Sequence, residues 1–387
     1  MSICKCDSTC DYVCDSDVLG MNKKHALLIG PFPPPIGGDT VLTLNLSKSR
    51  YWMEHGITLD CIDTSPGDRV RLPDETLRVK DVVRGAKILC EVLWRLPRCG
   101  VVLLWANSRF LLTAGLAIVL CCRLFRRPVF AKVFGAFLAQ RMSRLPIPAR
   151  TCARRILGTA VCILPETEAL ARELVQDAGF SPDRVLLLPS FLPDSSFTRT
   201  LSPKRFAGKC VFVGQIKREK GVFDIFDALV GRDDLSCDFF GPLLERDRRA
   251  FLDTVSTCRT CAYKGPLEPG TVSAVAAAYD VLLLPTYHTG EGCPAVVLEA
   301  YAAGIPVIAT NWLSLPALVE DGVRGIIIPV KSPDKIREAL DRLFADERLY
   351  ESMRQHAHAF VKSFSETAVL EGILIPRVVQ VLRRGIG

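Results

Sequence analysis

The strongest indication of the fold is the stretch "GEGCPAVVLEAYAAGIPVIAT", residues 290–310. It follows the apolar run "DVLLLP" (280–285), so it predicts a strand, a glycine-containing loop, a helix and a further strand. Pro294 suits the first helical position, because its missing N–H would have no partner within the helix. Glu291 then lies in the loop before the helix, and Glu299 lies within it, about one and a half turns after Pro294.

The two carboxylates and the start of this helix predict a polar ligand. Free backbone N–H groups around residues 293–296 can bind hydroxyls or phosphate oxygens, and each carboxylate accepts hydrogen bonds from a vicinal diol such as a sugar or a ribose. Glu299 could instead be a capped surface residue. Its neighbours Val297, Leu298 and Ala300 are apolar, however, and an unpaired carboxylate is costly to bury among them.

The same alternation of short apolar strands and helical segments runs through the whole chain, which is typical of parallel βαβ construction. A chain of 387 residues, 49% of them hydrophobic, is long enough for two such domains. The predicted strands of the first half are 25–30, 57–62, 101–106, 128–133, 160–164 and 184–189. Those of the second half are 209–214, 237–241, 261–265, 280–285, 305–310 and 324–329. We therefore predict an α/β fold of two Rossmann-like, doubly wound parallel sheets facing across a cleft.

The domain limits follow from this alternation. Residues 21–195 are predicted to form an N-terminal domain and residues 205–362 a C-terminal domain, and the segment 190–208, rich in Pro, Ser and Gly, suits a linker. The closing segment, from about residue 366, is apolar enough to need a packing partner. Residues 1–20 are predicted to be a disordered leader.

Charge and cysteine content narrow the class of protein. The 49 Lys and Arg against 42 Asp and Glu give a net charge of +7, which suits an anionic ligand or membrane surface and is too small to argue for nucleic acid. The N-terminus lacks the apolar core of a secretory signal, so we expect a cytoplasmic protein with reduced thiols. A leader cluster of Cys4, Cys6, Cys10 and Cys14 lacks ordinary zinc spacing, and Cys258 and Cys261 lack a second pair, so no metal site is predicted.

Two loops that follow predicted strands are candidates for binding phosphate. Gly37 and Gly38, in "GPFPPPIGGDT", would let the backbone approach a phosphate at the start of a helix. Lys217, Arg218 and Lys220 precede a second helix, where basic residues oppose the helix dipole unless an anion is also bound. The alternative for this second loop is a solvated basic turn paired with Glu219.

Glu291 through Glu299 resembles the E-x7-E motif of the retaining GT-B glycosyltransferases called glycosyl transferases group 1, which are related to glycogen synthase. The resemblance covers the C-terminal half, including "LSLPALVEDGVRGIIIP", and reaches the N-terminal half only through the Gly-Gly loop and the βαβ order. It implies catalytic roles for Glu291, at the donor sugar, and for Lys220, at the donor diphosphate. The other donor-binding residues it implies are Gly37, Gly38, Gln215, Lys217, Arg218, Gly265, Leu267, Gly292, Cys293, Pro294, Ala295, Val296 and Glu299.

Among these, the resemblance places Gly37 and Gly38 at the diphosphate from the opposite domain, Glu299 at the ribose, and Gly265 and Leu267 beside the base. It also implies that a terminal helix, residues 366–387, crosses back to complete the N-terminal domain.

Two positions depart from the family pattern. Gln215 stands where the family usually has an arginine. One positive charge that would pair with the donor phosphate is therefore missing, unless Lys217 or Arg218 contacts the phosphate instead. Phe134, with Lys132 nearby, stands where many members carry a histidine near the sugar. His288 is better interpreted as a loop or packing residue than as a catalytic one.

The implied reaction is transfer of a sugar from a nucleotide-diphosphate sugar to a hydroxyl of a glycan or lipid-linked acceptor, with retention, in polysaccharide, lipopolysaccharide or glycolipid biosynthesis. Lysine and backbone N–H donors would stabilise the leaving diphosphate, so neither a metal nor another cofactor is expected. A small soluble acceptor and a non-catalytic nucleotide-sugar-binding module are the alternatives; a phosphorylase would usually need a far longer chain.

The acceptor is expected to bind the N-terminal half, where thirteen uncharged residues, 110–122, adjoin Arg109, Arg123, Arg126 and Arg127. This run is too short to span a bilayer. It is either a helix buried against the sheet or a basic amphipathic surface that contacts the cytoplasmic face of a membrane.

Overall fold

The computed structural model describes residues 24–65, 79–135, 137–197 and 200–384. The cysteine-containing leader, residues 1–20, lies outside the described residues. Strands of the first sheet are β1 Lys24–Gly30, β2 Ile57–Asp63, β3 Val101–Asn107, β4 Val129–Phe134 and β5 Cys162–Leu164. Strands of the second sheet are β6 Lys209–Val213, β7 Ser236–Phe240, β8 Cys261–Gly265, β9 Val281–Leu284, β10 Val307–Thr310 and β11 Gly325–Ile328.

Helices surround both sheets. Those of the first half are α1 Gly38–Ser47, α2 Tyr51–Glu54, α3 Val79–Arg95, α4 Ser108–Phe110, α5 Leu116–Leu124, α6 Leu138–Ser143, α7 Ile147–Leu157 and α8 Glu168–Gln176. Those that follow are α9 Val222–Leu229, α10 Glu245–Thr257, α11 Val272–Ala276, α12 Ala295–Ala302, α13 Leu315–Val319, α14 Pro333–Ala345, α15 Glu347–Val361 and α16 Ile375–Arg384. Within the described ranges, no helix is both long and apolar enough to cross a membrane.

Both sheets are parallel, and their strand orders show the doubly wound topology. The order of the first is β2-β1-β3-β4-β5 and that of the second is β11-β10-β9-β6-β7-β8. The central strands read as near-continuous apolar runs because helices cover both faces; in β3, residues Val101 to Trp105 are all 0% exposed. The predicted fold class is therefore confirmed.

One predicted strand, 184–189, is wrong. This segment makes a single bridge, between Val185 and Ile163, and two hydrogen bonds to the carbonyls of Ile163 and Pro165. Pro165, which directly follows β5, and Pro189 have no N–H to donate to a ladder, so regular pairing stops after these contacts.

The first sheet is covered by different sets of helices on its two faces. On one face, α3, α5, α6, α7 and α8 pack on the sheet through a common core. On the other, α1 and α2 share a core with the closing segment of the chain, whose buried members are Val369, Leu370, Leu374, Ile375, Val378 and Leu382.

The closing segment consists of a π-helix, Thr367–Leu374, followed directly by α16. Pro376, near the start of α16, cannot donate the backbone hydrogen bond of a continuous α-helix, which favours the wider turn before it. The Thr367 hydroxyl donates to Asp194 (2.7 Å) and lies 2.5 Å from the hydroxyl of Tyr51. Polar and apolar contacts together hold this segment on the first sheet.

The chain passes between the two halves twice, and the two passages lie side by side. The N–H of Leu192 donates to the carbonyl of Phe364 (2.9 Å), and the N–H of Glu366 donates to the carbonyl of Leu192 (2.8 Å). This pair of main-chain hydrogen bonds ties the two passages of the chain together.

The closing segment should contribute strongly to stability. Leu370 is 0% exposed, so Leu370→Ala is expected to lower the free energy of unfolding by about 2–5 kcal/mol, measured by urea denaturation. Val230→Ala, at a side chain 70% exposed, is the control and should change it by less than about 0.5 kcal/mol. Equal effects of the two substitutions would contradict the packing described here.

Candidate functional site

The candidate site lies at the carboxyl edge of the second sheet, where β6 and β9 are neighbours. From β6 the chain winds outward through β7 and β8, and then returns to the other side of β6 as β9. Open α/β sheets bind ligands at such a reversal of strand order. The loops after β6 (214–221) and after β9 (285–294) are therefore brought together where a ligand is expected.

Gly221 allows these two loops to touch. Its φ of 72° lies in the left-handed region, and a Cβ at this position would overlap the carbonyl group of Pro285. The N–H of Tyr287 also donates to the carbonyl of Glu219 (2.9 Å). Main-chain contacts thus place the basic side chains of the first loop beside the acidic one of the second.

Glu291 and Lys220, the two predicted catalytic residues, form an ion pair. Glu291 is 4% exposed, and its Oε1 accepts hydrogen bonds from the Lys220 Nζ and from the hydroxyl of Thr286 (3.0 Å). Burial acts to raise the pKa of Glu291, but the charge and hydrogen bond of Lys220, with smaller help from Thr286, outweigh it, and the pKa lies below its ordinary value. Glu291 is therefore a carboxylate at neutral pH.

Lys217 and His288 extend this cluster. The Lys217 Nζ lies 3.3 Å from the His288 Nε2. Burial, with repulsion from Lys220, lowers the pKa of Lys217 to about 8, although Glu291 opposes the change. Burial and the two lysines lower the pKa of His288 to about 4, so this imidazole is neutral at pH 7. The site holds more desolvated positive charge than its one carboxylate balances, which favours an anionic ligand.

Helix α12 begins at Ala295, so the prediction that Pro294 occupies the first helical position is wrong by one residue. Pro294 is the N-cap, because its ψ of 113° is extended. The carbonyl of Gly292 accepts a hydrogen bond from the hydroxyl of Ser314, which fixes the loop before the helix. The first N–H groups of α12, at Ala295 and Val296, have no acceptor within the helix.

Glu299 lies inside α12, as predicted, and is half-buried. Desolvation raises its pKa to about 7. In the part of the chain that the structure describes, no group donates a hydrogen bond to its carboxylate or pairs with it. This half-buried carboxylate therefore has lone pairs that no described protein group uses.

A group of buried polar residues from the first half meets the loop of Gly292, and the sequence interpretation missed it as a site. The Glu166 socket consists of Lys132, Gly135, Glu166 and Ser190. The Glu166 carboxylate accepts hydrogen bonds from the N–H of Gly135 (3.1 Å) and the hydroxyl of Ser190 (3.1 Å). Gly135 and Glu166 come shortly after β4 and β5, a position at the carboxyl edge that could have identified them.

The socket places two buried ionisable groups, Lys132 and Glu166, at the contact between the halves. Lys132 is 0% exposed and donates to the carbonyl of Leu188; burial lowers its pKa to about 8, although Glu166 opposes this. Burial raises the pKa of Glu166, and Lys132 counteracts it. Burial, with the charge of Glu166, raises the pKa of the Cys293 thiol to about 12, so Cys293 is not an activated nucleophile.

The remaining predicted site residues lie outside the cluster that Lys217, Lys220, His288 and Glu291 form. Arg218 is exposed, its guanidinium stacks on the ring of Phe223 at 4.3 Å, and it does not join the lysine cluster. Gln215 is half-buried two residues after β6, Gly265 is the last residue of β8, and Leu267 packs at the edge of the core to which α12 contributes. Gly37 caps α1 in extended conformation, and exposed Gly38 begins that helix. Phe134 packs edge-to-face on Trp105, within the core of the first half.

Among the described residues, no group of three or more His, Cys, Asp and Glu side chains could hold a metal ion. Cys258 and Cys261 are joined as a disulfide. Cys258 caps the end of α10 and Cys261 is the first residue of β8, so the pair lies at the amino edge of the second sheet and away from the lysine cluster.

Comparison with known sequences identifies relatives. Residues 207–360 match the family model Glycosyl transferases group 1. Over 254 residues the chain is 27% identical to the D-inositol 3-phosphate glycosyltransferase of Paenarthrobacter aurescens, a match that covers 58% of this chain and 61% of the relative. The chain spans about three fifths of the length of the curated relatives it matches first.

Solved structures resemble the chain over nearly its full length. The Anabaena protein HepE in complex with UDP has a TM-score of 0.65 at 14% identity, covering 93% of this chain and 98% of its own. A glycosyltransferase from Rickettsia africae has a TM-score of 0.72 at 13% identity, covering 94% of this chain and 100% of its own. At such identities the likeness shows the fold alone, and it confirms the predicted GT-B architecture.

The contact of Gly292 with the Glu166 socket can be tested by adding one methyl group. In Gly292→Ala the Cβ would lie 2.7 Å from the Glu166 Oε2 and 3.1 Å from the Gly135 Cα, so we expect the loop to move away from the socket. The rate of Cys293 alkylation by iodoacetamide, followed by peptide mass spectrometry, should rise several-fold.

Gly38→Ala is the matched control, because its Cβ would meet nothing within 4 Å. It should leave the Cys293 alkylation rate unchanged. If Gly292→Ala also left that rate unchanged, the close approach of the two halves would not exist in solution.

Proposed function

Because this chain belongs to the glycosyl transferases group 1 family through residues 207–360, we propose that it transfers a sugar from a nucleoside-diphosphate sugar to a hydroxyl group of an acceptor, with retention of anomeric configuration. The observation that carries the proposal is the desolvated cluster of Lys217, Lys220 and His288 around Glu291. Its excess positive charge suits a diphosphate, and its carboxylate suits sugar hydroxyls.

In the proposed donor complex, Lys220 exchanges partners. Without ligand, its ammonium group is neutralised by Glu291. A donor diphosphate would draw Lys220 toward the phosphate oxygens, which frees lone pairs of Glu291 to accept hydrogen bonds from the sugar. The first N–H groups of α12 supply further donors, and the positive end of the helix dipole favours the anion.

Glu299 is proposed to bind the ribose of the donor. It lies on the same helix whose start borders Glu291, and its carboxylate has two oxygens for a vicinal diol. A ribose would supply the hydrogen bonds that the described protein groups do not provide. Gln215, Gly265 and Leu267 are proposed to line the diphosphate and the base, and Gly37 and Gly38 to approach the phosphates from the first half.

The proposed chemistry places most of the catalysis on the leaving group. The bond between the anomeric carbon and the phosphate oxygen breaks, and its electron pair passes to the diphosphate. Lys220, Lys217 and the N–H groups of α12 stabilise that growing charge. The acceptor oxygen bonds to the anomeric carbon on the same face, and its proton passes to the departing phosphate, so that no separate base is needed.

The acceptor is proposed to be a glycan or a lipid-linked sugar, with the reaction in the cytoplasm. Ten cysteines among the described residues are free, which is consistent with a reducing compartment, although Cys258 and Cys261 are joined as a disulfide. A small soluble acceptor is the second candidate, because several relatives are named D-inositol 3-phosphate glycosyltransferases.

The proposal is tested by screening ligands and then turnover. UDP, GDP, ADP and their sugar conjugates are compared for thermal stabilisation; a ligand at 100 times its Kd should stabilise by about 2.7 kcal/mol. The stabilising nucleotide sugar is then incubated with protein, and released sugar and product anomer are measured. An inverted product, or no stabilisation by any nucleotide, would contradict the proposal, and binding without any turnover would favour a non-catalytic module.

Glu299→Gln should separate ligand binding from folding. The raised pKa means that ionisation of Glu299 costs stability as pH rises from its ordinary value through about 7, so the variant should be at least as stable at pH 8. Its affinity for the nucleoside diphosphate, measured by calorimetry, should fall by about tenfold, since hydrogen bonds to charged groups contribute about 1.5–3 kcal/mol. Unchanged affinity would reject the ribose role.

Lys217 should make donor binding depend on pH. Its pKa of about 8 should rise when a diphosphate binds, so the Kd for UDP-glucose should increase as pH rises from 7 to 9.5, by up to tenfold per unit above 8. UDP-glucose is the probe because HepE has been solved with it and its diphosphate does not titrate in this range. Lys217→Arg, which stays charged, should remove the dependence; the same pH profile in parent and variant would assign it to another group.

A further inference from the structure

The positive charge of this chain is concentrated in one segment. Residues 79–157 contain 15 Lys and Arg but only two Asp and Glu, a net charge of +13. Because the whole chain carries +7, the remaining 308 residues together carry −6. A segregation of this size is a property of one surface rather than of overall composition.

The structure places the helices of this segment on one side of the molecule. Helices α3, α5, α6 and α7 pack on the same face of the first sheet, opposite the face that α16 covers. α3 packs beside α5, and α5 beside α7, so that their outer sides form one continuous layer. The charge of the segment is therefore presented largely on a single face.

Within this layer, the ends of α3 and α5 meet. The guanidinium of Arg127 donates to the carbonyls of Leu96 (3.1 Å) and Pro97 (2.8 Å), which ties the residues after α5 to those after α3. The meeting point forms what we call the Trp94 patch. Its members are Trp94, Arg98, Arg123, Leu124, Phe125 and Arg126.

The Trp94 patch combines exposed apolar and basic side chains. Trp94 is 64% exposed, Leu124 73% and Phe125 42%, and the guanidinium of Arg98 stacks over the Trp94 ring at 4.6 Å. In the described part of the chain, Arg98, Arg123 and Arg126 have no carboxylate partner. The neighbouring Glu91 is paired with Arg95. The patch thus exposes large apolar groups next to uncompensated positive charge.

We propose that the Trp94 patch docks the protein on the surface of a bilayer that contains anionic lipids. Tryptophan is favoured at the headgroup level, apolar side chains insert just below it, and arginines pair with lipid phosphates. A nucleic acid would account for the arginines, but its phosphate backbone offers no apolar environment for Leu124 and Phe125. A membrane surface accounts for all six side chains, and no helix of the described residues needs to cross it.

This surface is separate from the donor site. The C-terminal ends of α3 and α5 lead into β3 and β4, so the patch lies near the amino edge of the first sheet, whereas the Glu166 socket lies at the carboxyl edge. Membrane binding therefore does not depend on the proposed transfer reaction. Changes in the patch should leave nucleotide-sugar binding intact, which separates failure of this inference from failure of the proposed function.

The test is co-sedimentation of the full chain with vesicles of phosphatidylcholine alone, or of phosphatidylcholine with about 30% phosphatidylglycerol. We expect binding to the anionic vesicles only, weakened by raising NaCl from about 50 to 500 mM. The double variant Arg98→Gln, Arg123→Gln should bind about 25-fold more weakly, since each basic residue near such a surface contributes about fivefold.

Matched controls come from the second half. Arg249→Gln, Arg348→Gln removes the same charge from exposed positions on α10 and α15 and should not affect vesicle binding. Leu124→Ala should weaken binding, whereas Val230→Ala, at a similarly exposed side chain, should not. Unchanged thermal midpoints will show that each variant is folded.

Tryptophan fluorescence reports the contact directly. Of the other three tryptophans, Trp52 and Trp105 are buried and Trp312 is half-buried, so a blue shift on adding anionic vesicles that disappears in Trp94→Phe would place Trp94 in the lipid interface. Equal losses of binding in the patch and control arginine variants would overturn the proposal. Tighter binding to duplex DNA or RNA than to anionic vesicles at the same salt would also overturn it.

Discussion

Lys220 and Glu291 lie 71 residues apart in the chain, and their buried ion pair joins the two loops at the reversal of strand order in the second sheet. Desolvating two charges costs about as much as their attraction returns, so such a pair is a weak source of stability. Its arrangement depends on the contact of Gly221 with Pro285, which positions both loops. The fold thus supports a polar arrangement that contributes little to stability by itself.

Two contacts between the halves bear on the geometry of the candidate site. Main-chain hydrogen bonds at Leu192 and Glu366 tie the two passages of the chain together. Gly292 meets the Glu166 socket, where only a residue without a side chain fits. The loop of Gly292 also carries Glu291, so the contact with the socket helps to position that carboxylate.

Much of the fold could be predicted from the sequence, because buried parallel strands read as apolar runs of four to seven residues regardless of their partners. The segment 184–189 is apolar like these strands and was predicted as one, but it does not form a strand, because the prolines at 165 and 189 limit its pairing. At the site, the spacing of Glu291 and Glu299 was informative because both lie on one loop and its helix. The Glu166 socket was not predictable in this way, because Lys132, Glu166 and Ser190 meet Cys293 only through the packing of one half on the other. The partnership of Lys217 with His288 was hidden because their loops, 71 residues apart in the chain, meet only at the reversal of strand order within the second sheet.

Two kinds of positive charge serve different ends in this molecule. At the strand reversal, Lys217 is withdrawn from water, so that its pKa falls to about 8 and any anion that enters gains from a desolvated partner. On the outer helices, Arg98, Arg123 and Arg126 remain solvated, and their charge acts over a Debye length rather than at one contact. The first arrangement selects a small ligand by close hydrogen bonds, and the second attracts an extended anionic surface. A net charge of +7 is therefore a poor description of a chain whose residues 79–157 alone carry +13.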